Sequence, residues 1–139
     1  MYLLDTNVIS ELRRRRPHGA VVTWIRDIAD ADLHVSAATI GELQAGIELT
    51  RDQNPTRAAE LQSWLDRVEA TYNVLPMDGR TFRLWARLLH GRSNDLVEAA
   101  MIAATARVHN LIVVTRNVRD FVNFDVRTVN PFLNPAAGV

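Results

Sequence analysis

The sequence predicts a single α/β domain with a central, mostly parallel β-sheet flanked by helices. Three observations predict it. The chain has 139 residues, a length that suits one domain with one substantial core. Short apolar runs of strand length alternate with longer segments whose apolar residues recur at helical spacing, and that alternation builds parallel βαβ units. No internal repeat, low-complexity linker or second-domain boundary interrupts the pattern.

Residues 2–4 form an apolar run ending at Asp5, as in a buried strand whose carboxyl end carries a carboxylate. A helical pattern follows around 9–12 and is broken by Arg13, Arg14, Arg15, Arg16 and Pro17. Over 20–28, Val21, Trp24, Ile25 and Ile28 share one helix face. Residues 33–36 read as the second strand. Thr39 then opens a helix to about 49, with Ile40, Leu43 and Ile47 on one face. Asn54 and Pro55 supply a cap and a first-position proline for a helix to about 71, which should bury Leu61, Trp64, Leu65 and Val68. Residues 72–75 are the third strand. Asp78 caps a helix carrying Phe82, Trp85, Leu88 and Leu89 that ends near Gly91. Residues 95–109 make a helix of small apolar side chains, 111–115 the most strand-like run of the chain, and 126–129 a last strand. The domain is expected to span 1–133, with 134–139 as a flexible tail.

Composition narrows the chemistry. Sixteen basic and sixteen acidic residues cancel, which excludes a strongly basic nucleic-acid binder but leaves room for a local positive face. There is no cysteine, hence no disulfide, thiolate metal site or Cys nucleophile. Every basic residue is arginine, and without lysine there is no P-loop, Schiff base or Ser–Lys dyad. No Ser-His-Asp order or Gly-x-Ser-x-Gly turn is present. His18, His34, His90 and His109 lack metal-ligand spacing, and His109, near a helix end, suits the helix dipole. No secretory leader or apolar stretch of ~20 residues is visible, so a soluble cytoplasmic protein with no membrane attachment is expected.

The acids that matter sit just past the expected strands. Asp5 ends the first strand, Glu42 lies one turn into the helix after the second, and Asp120 follows Thr115-Arg116-Asn117 after the fourth. The carboxyl ends of parallel strands converge in space. Carboxylates gathered there repel one another unless a cation lies between them. All-oxygen ligation suits Mg²⁺ or Mn²⁺, which generates hydroxide at neutral pH and stabilises phosphoryl displacement. Each acid also has a structural alternative. Asp5 suits a strand-end turn, Glu42 stands at capping-box spacing from Thr39, and Asp120 can order its own turn. Asp95 and Glu98 share capping-box spacing too, and a structural role is expected for both.

Asp5-Thr6-Asn7-Val8-Ile9-Ser10-Glu11, Ile40-Gly41-Glu42-Leu43, Met101 to Thr105, Thr115-Arg116-Asn117 with Asp120-Phe121, and Asn130-Pro131-Phe132 together resemble the PIN-domain ribonuclease toxins of VapBC and FitAB type. The resemblance runs in order along nearly the whole chain. It implies a PIN-like fold and the toxin of a type II toxin–antitoxin system. It implies a Mg²⁺- or Mn²⁺-dependent endoribonuclease acting on transfer RNA or other structured RNA, and a homodimer. It also implies a VapB-like antitoxin that has a DNA-binding part and inserts a peptide near the active site. Under it, Asp5, Glu42 and Asp120 are the catalytic acids, with Asp5 and Asp120 as metal ligands and Glu42 ligating directly or through water. Thr6, Asn117 and Thr115 orient the carboxylates.

One position departs from that pattern. The family carries an aspartate three residues before the Ile-Ala-Ala-Thr run, and Ala99 stands there in this chain. Asp95 is one turn earlier, about 6 Å along the axis, and Glu98 is rotated by roughly 100°. Neither is expected to replace the missing carboxylate. Ala99 therefore marks a disabled nuclease, either an inactivated variant or a natural pseudo-enzyme. The other reading is a non-catalytic PIN-like module that acts through antitoxin or operator-complex binding. Arg13 to Arg16 are a candidate contact for RNA or an acidic antitoxin segment, or else a solvated helix end. Arg83 and Arg87, four apart, form a solvated face or a contact for substrate or partner. Trp24, Trp64 and Trp85 fall on apolar helical stripes, as core residues do.

Overall fold

A computed structural model describes residues 1–133, and the expected tail at 134–139 lies outside the described residues. Five strands, β1 (Tyr2–Leu4), β2 (Leu33–Ser36), β3 (Asn73–Leu75), β4 (Ile112–Val114) and β5 (Thr128–Val129), form one sheet in the order β3-β2-β1-β4-β5. All four pairings are parallel. Leu4 pairs with Val35 on one side and Val114 on the other, so the chain leaves the sheet at Asp5, Ser36 and Thr115 on one level edge. The order runs outward from β1 in both directions. The crevice between β1 and β4 is therefore the switch point at which open α/β sheets place their sites.

Six helices cover the sheet: α1 (Thr6–Leu12), α2 (Gly19–Arg26), α3 (Ala37–Gln53), α4 (Pro55–Thr71), α5 (Gly79–Leu89) and α6 (Val97–His109). Successive strand residues point to opposite faces, and the core divides accordingly. Leu4, Val35 and Val114 join Val8, Ile47, Leu65 and Val68 under α1–α4. Leu3 and Val113 join Ala100, Ala103, Ala106, Phe121 and Phe124 under α5 and α6. Of the predicted core of α4, Leu65 and Val68 are buried, while Leu61 and Trp64 are only partly so. No helix among the described residues is long and apolar enough to cross a membrane.

Several boundaries differ from the expected ones, each for a local reason. α1 begins at Thr6, ahead of its apolar periodicity, because Asp5 caps it. α3 begins at Ala37 rather than Thr39, because the Ser36 hydroxyl takes the Ala38 N–H at 3.1 Å. Its apolar stripe stops near Leu49, yet the helix runs on to Gln53 against α4, where Gln44 and Gln62 exchange amide hydrogen bonds of 2.9 and 3.2 Å. Asn54 alone joins α3 to α4, accepting the Arg57 N–H at 3.1 Å ahead of Pro55. α6 begins at Val97, two residues later than expected. A 3₁₀ turn, Asn94–Leu96, precedes it and is capped by Ser93. Asn110 closes α6 in the left-handed conformation, with φ of 54°.

Candidate active site

Asp5 is fixed from every side. Its Oδ1 accepts the Thr6 N–H at 2.8 Å, which caps α1. Its Oδ2 accepts the Thr115 hydroxyl at 2.8 Å and the Asn7 amide at 3.2 Å. Thr115 is fully buried just past β4 and receives the Asn117 N–H at 2.9 Å. Asn7 also accepts the Arg116 N–H at 3.1 Å, tying α1 to the loop after β4. Burial raises the Asp5 pKa from its ordinary value and the Asp120 charge adds to the rise, against the lowering by Thr115, Thr6 and Asn7.

Across the crevice, Thr6 donates its hydroxyl to Glu42 Oε2 at 2.9 Å, and the Thr39 hydroxyl lies 3.1 Å from Thr6. Glu42 is thus turned toward the crevice. It does not close a capping box, since Ser36 is the cap of α3. Its pKa is pushed up to about 7, first by loss of water around the carboxyl, then by a hydrogen bond with Glu98 and the nearby charges of Glu98 and Asp5. Two carboxyls this close favour holding a proton between them.

Asp5, Glu42, Asp95, Glu98 and Asp120 line one pocket of about 250 Å³, together with Ala99. The three acids chosen from sequence therefore converge, and position 99 faces them. One expectation fails here. Asp95 and Glu98 do not form a capping box, because Ser93 caps the 3₁₀ turn and α6 has no side-chain cap. With the helix starting at Val97, both side chains sit at its mouth and line the pocket. Asn117 also lines it, but the bond it makes to Thr115 comes from its backbone N–H. Asn7 is the orienting residue that sequence reasoning missed, although its place beside Asp5 in the first motif was the available signal.

The arginine run does not belong to this pocket. Arg13, Arg14 and Arg15 line a separate depression with Arg57 and Glu60 of α4. Arg13 lies 6.0 Å over the Trp64 ring, and Arg14 pairs with Glu11 at 3.4 Å. Arg16 is exposed and lines neither. Glu11 is buried and accepts the His18 N–H at 2.9 Å, so it ties the run down from within.

The oxygen-only donors of the pocket match Mg²⁺ or Mn²⁺ in kind. In number they fall short. Among the described residues no three acidic or histidine side chains stand close enough to share one ion, and Ala99 brings no oxygen to the place between them.

A PIN-domain family model matches residues 2–126. The chain belongs to the PIN-domain family. It is 34% identical over 140 residues to the toxin FitB of Neisseria gonorrhoeae, covering 95% of this chain and 99% of that one. It is 34% identical over 143 residues to the VapC ribonuclease Y4jK of Sinorhizobium fredii, covering 95% and 98%. Among solved structures, FitAcB from Neisseria gonorrhoeae superposes with a TM-score of 0.83 at 34% identity, covering 95% of this chain and 99% of that chain. The fold recurs in complexes of the VapBC type, some bound to DNA. This PIN chain is thus a member of the toxin–antitoxin toxins of its family, with VapC ribonucleases among its relatives. Its β5 lies beyond the residues that the PIN model matches.

Proposed function

We propose that this PIN toxin is built as a Mg²⁺- or Mn²⁺-dependent endoribonuclease and that Ala99 disables it. The observation that carries the reading is the arrangement of Asp5, Glu42, Glu98 and Asp120 around a side chain with no oxygen. Asp5 and Asp120 would hold the cation, with Glu42 beside them. A cation bound there supplies an activated water and neutralises charge on the scissile phosphate. The chain's own part is positional. Thr115, Asn7 and the Thr6 N–H lock the Asp5 carboxylate, Thr6 aims Glu42, and Asn117 steadies Thr115. Transfer RNA or another structured RNA is the substrate we propose. A VapB-like antitoxin with a DNA-binding part, a second copy of the chain and a cytoplasmic location complete the reading.

The test is cleavage of transfer RNA and structured RNA with Mg²⁺ or Mn²⁺ by this chain and by its Ala99→Asp variant, with Mn²⁺ binding followed by calorimetry. The variant should bind Mn²⁺ more tightly and cut, with EDTA abolishing cleavage, while the parent should stay silent. Tight Mn²⁺ binding by the parent, unchanged in the variant, would remove position 99 from the ligand set. If neither form cuts any RNA, the chain is a non-catalytic PIN module acting through its antitoxin or operator complex.

A further inference from the structure

The zero net charge hides a strong separation. The helices α3 and α4 carry six acids and three arginines, whereas residues 79–94 carry Arg80, Arg83, Arg87 and Arg92 with no acid. Along α5, Arg80, Arg83 and Arg87 fall within an arc of roughly 60°. The opposite side turns buried Thr81 and the half-buried Trp85 and Leu88 toward the second core. The three arginines line a depression of about 600 Å³ whose one other lining residue is Gly79. Arg80 and Arg87 continue into a second, of about 230 Å³, that holds Arg107 of α6. Arg107 continues into a third, of about 390 Å³, with Arg127 and Asp125. All five guanidiniums belong to exposed residues. Among the described residues the ion pairs are made by Arg14, Arg26, Arg51 and Arg57, and by none of these five.

We propose that this face, the outer side of α5 with the last turn of α6 and Arg127, is a binding surface for the RNA phosphate backbone. It would hold the body of the substrate while another part enters the acidic pocket. The inference rests on the ribonuclease reading above. Guanidinium forks match phosphate oxygens bidentately, and Arg80 to Arg87 span about 10.5 Å along the helix, enough for more than one contact. Of the four residues that line the depression under α5, three are arginines and none is an acid, so charge dominates what it offers a ligand. A phosphate chain needs only the charge. α6 joins the two places directly, with Ala99 in the pocket and Arg107 about 12 Å further along the same axis.

The probe is a fluorescein-labelled RNA hairpin, titrated by anisotropy with the Ala99 chain in EDTA over a range of salt. Replacing Arg80, Arg83 and Arg87 together by Gln should weaken binding roughly tenfold or more and lower the log–log salt slope by about two. Replacing Arg51, Arg57 and Arg67 by Gln removes the same charge from the α3–α4 hairpin and should leave both nearly unchanged. Equal losses in the two triple variants, or none in the first, would overturn the proposal. So would loss of binding to a glutamate-rich peptide with RNA binding intact, which would assign the face to an acidic protein segment. Binding in EDTA is independent of cleavage. If the Ala99→Asp form never cuts while the α5 arginines still govern RNA affinity, the nuclease reading fails and the surface stands. If that form cuts and the α5 arginines do not matter, the reverse holds.

Discussion

Glu42 is the residue whose protonation the pocket alters most, and the sign of the effect follows from its surroundings. Its pKa rises from the ordinary 4.5 to about 7, chiefly through lost hydration and the facing Glu98. The folded chain therefore binds a proton that the unfolded chain releases. That stabilising contribution is complete below about pH 4.5 and is lost as pH rises through about 7. The melting temperature in EDTA should fall between pH 5 and pH 8, and Glu98→Gln should flatten the fall. An equally steep fall in the variant would assign the effect to other groups. Legibility at this scale was uneven. Asp5, Thr115 and Asp120 were readable because strand ends announce them. Asp95 and Glu98 were not, because their place depends on a 3₁₀ turn that delays α6 by two residues. A helix drawn from residue 95 leaves Asp95 a full turn from position 99 and rotates Glu98 by roughly 100° away from it.

At the scale of elements, caps decide more than propensity. Asn54 closes α3 through its N–H to the Thr50 carbonyl at 2.7 Å and opens α4 through its side chain to the Arg57 N–H. Asn54→Ala should cost about 1 kcal/mol, measured by urea unfolding, with α4 fraying first in hydrogen exchange. Full retention of stability would mean that the packing of α3 against α4 holds the corner unaided. The start of α4 was legible because Asn-Pro is a local signal. The length of α3 was not, because its last turn is held by Arg51, which bonds Glu48 and reaches Gln62 of α4, on a polar face that periodicity cannot see. The same blindness made Thr39 look like a cap. It is a buried threonine inside the first turn of α3.

Across the whole molecule, the sheet order and the charge separation act together. The parallel sheet was legible from alternation alone, but its order was not, because strands of two to four residues carry no register of their own. On a chain of zero net charge, the acidic hairpin and the basic α5 face should steer an RNA toward α5 and away from α3 and α4. The association rate with a labelled RNA hairpin in EDTA should fall steeply as salt is added. A rate indifferent to salt would mean that the charge separation does not guide the encounter. The pocket, finally, is not equally tied to the rest of the fold at every corner. Asp5 is at once a knot that starts a helix and a wall of the crevice, so stripping it would unravel as well as silence. Residue 99 only rests its methyl group against the second core. On the proposed reading, an alanine there would disarm the toxin and leave its outline intact, so a partner that reads the outline would meet an impostor with the armed form's surface.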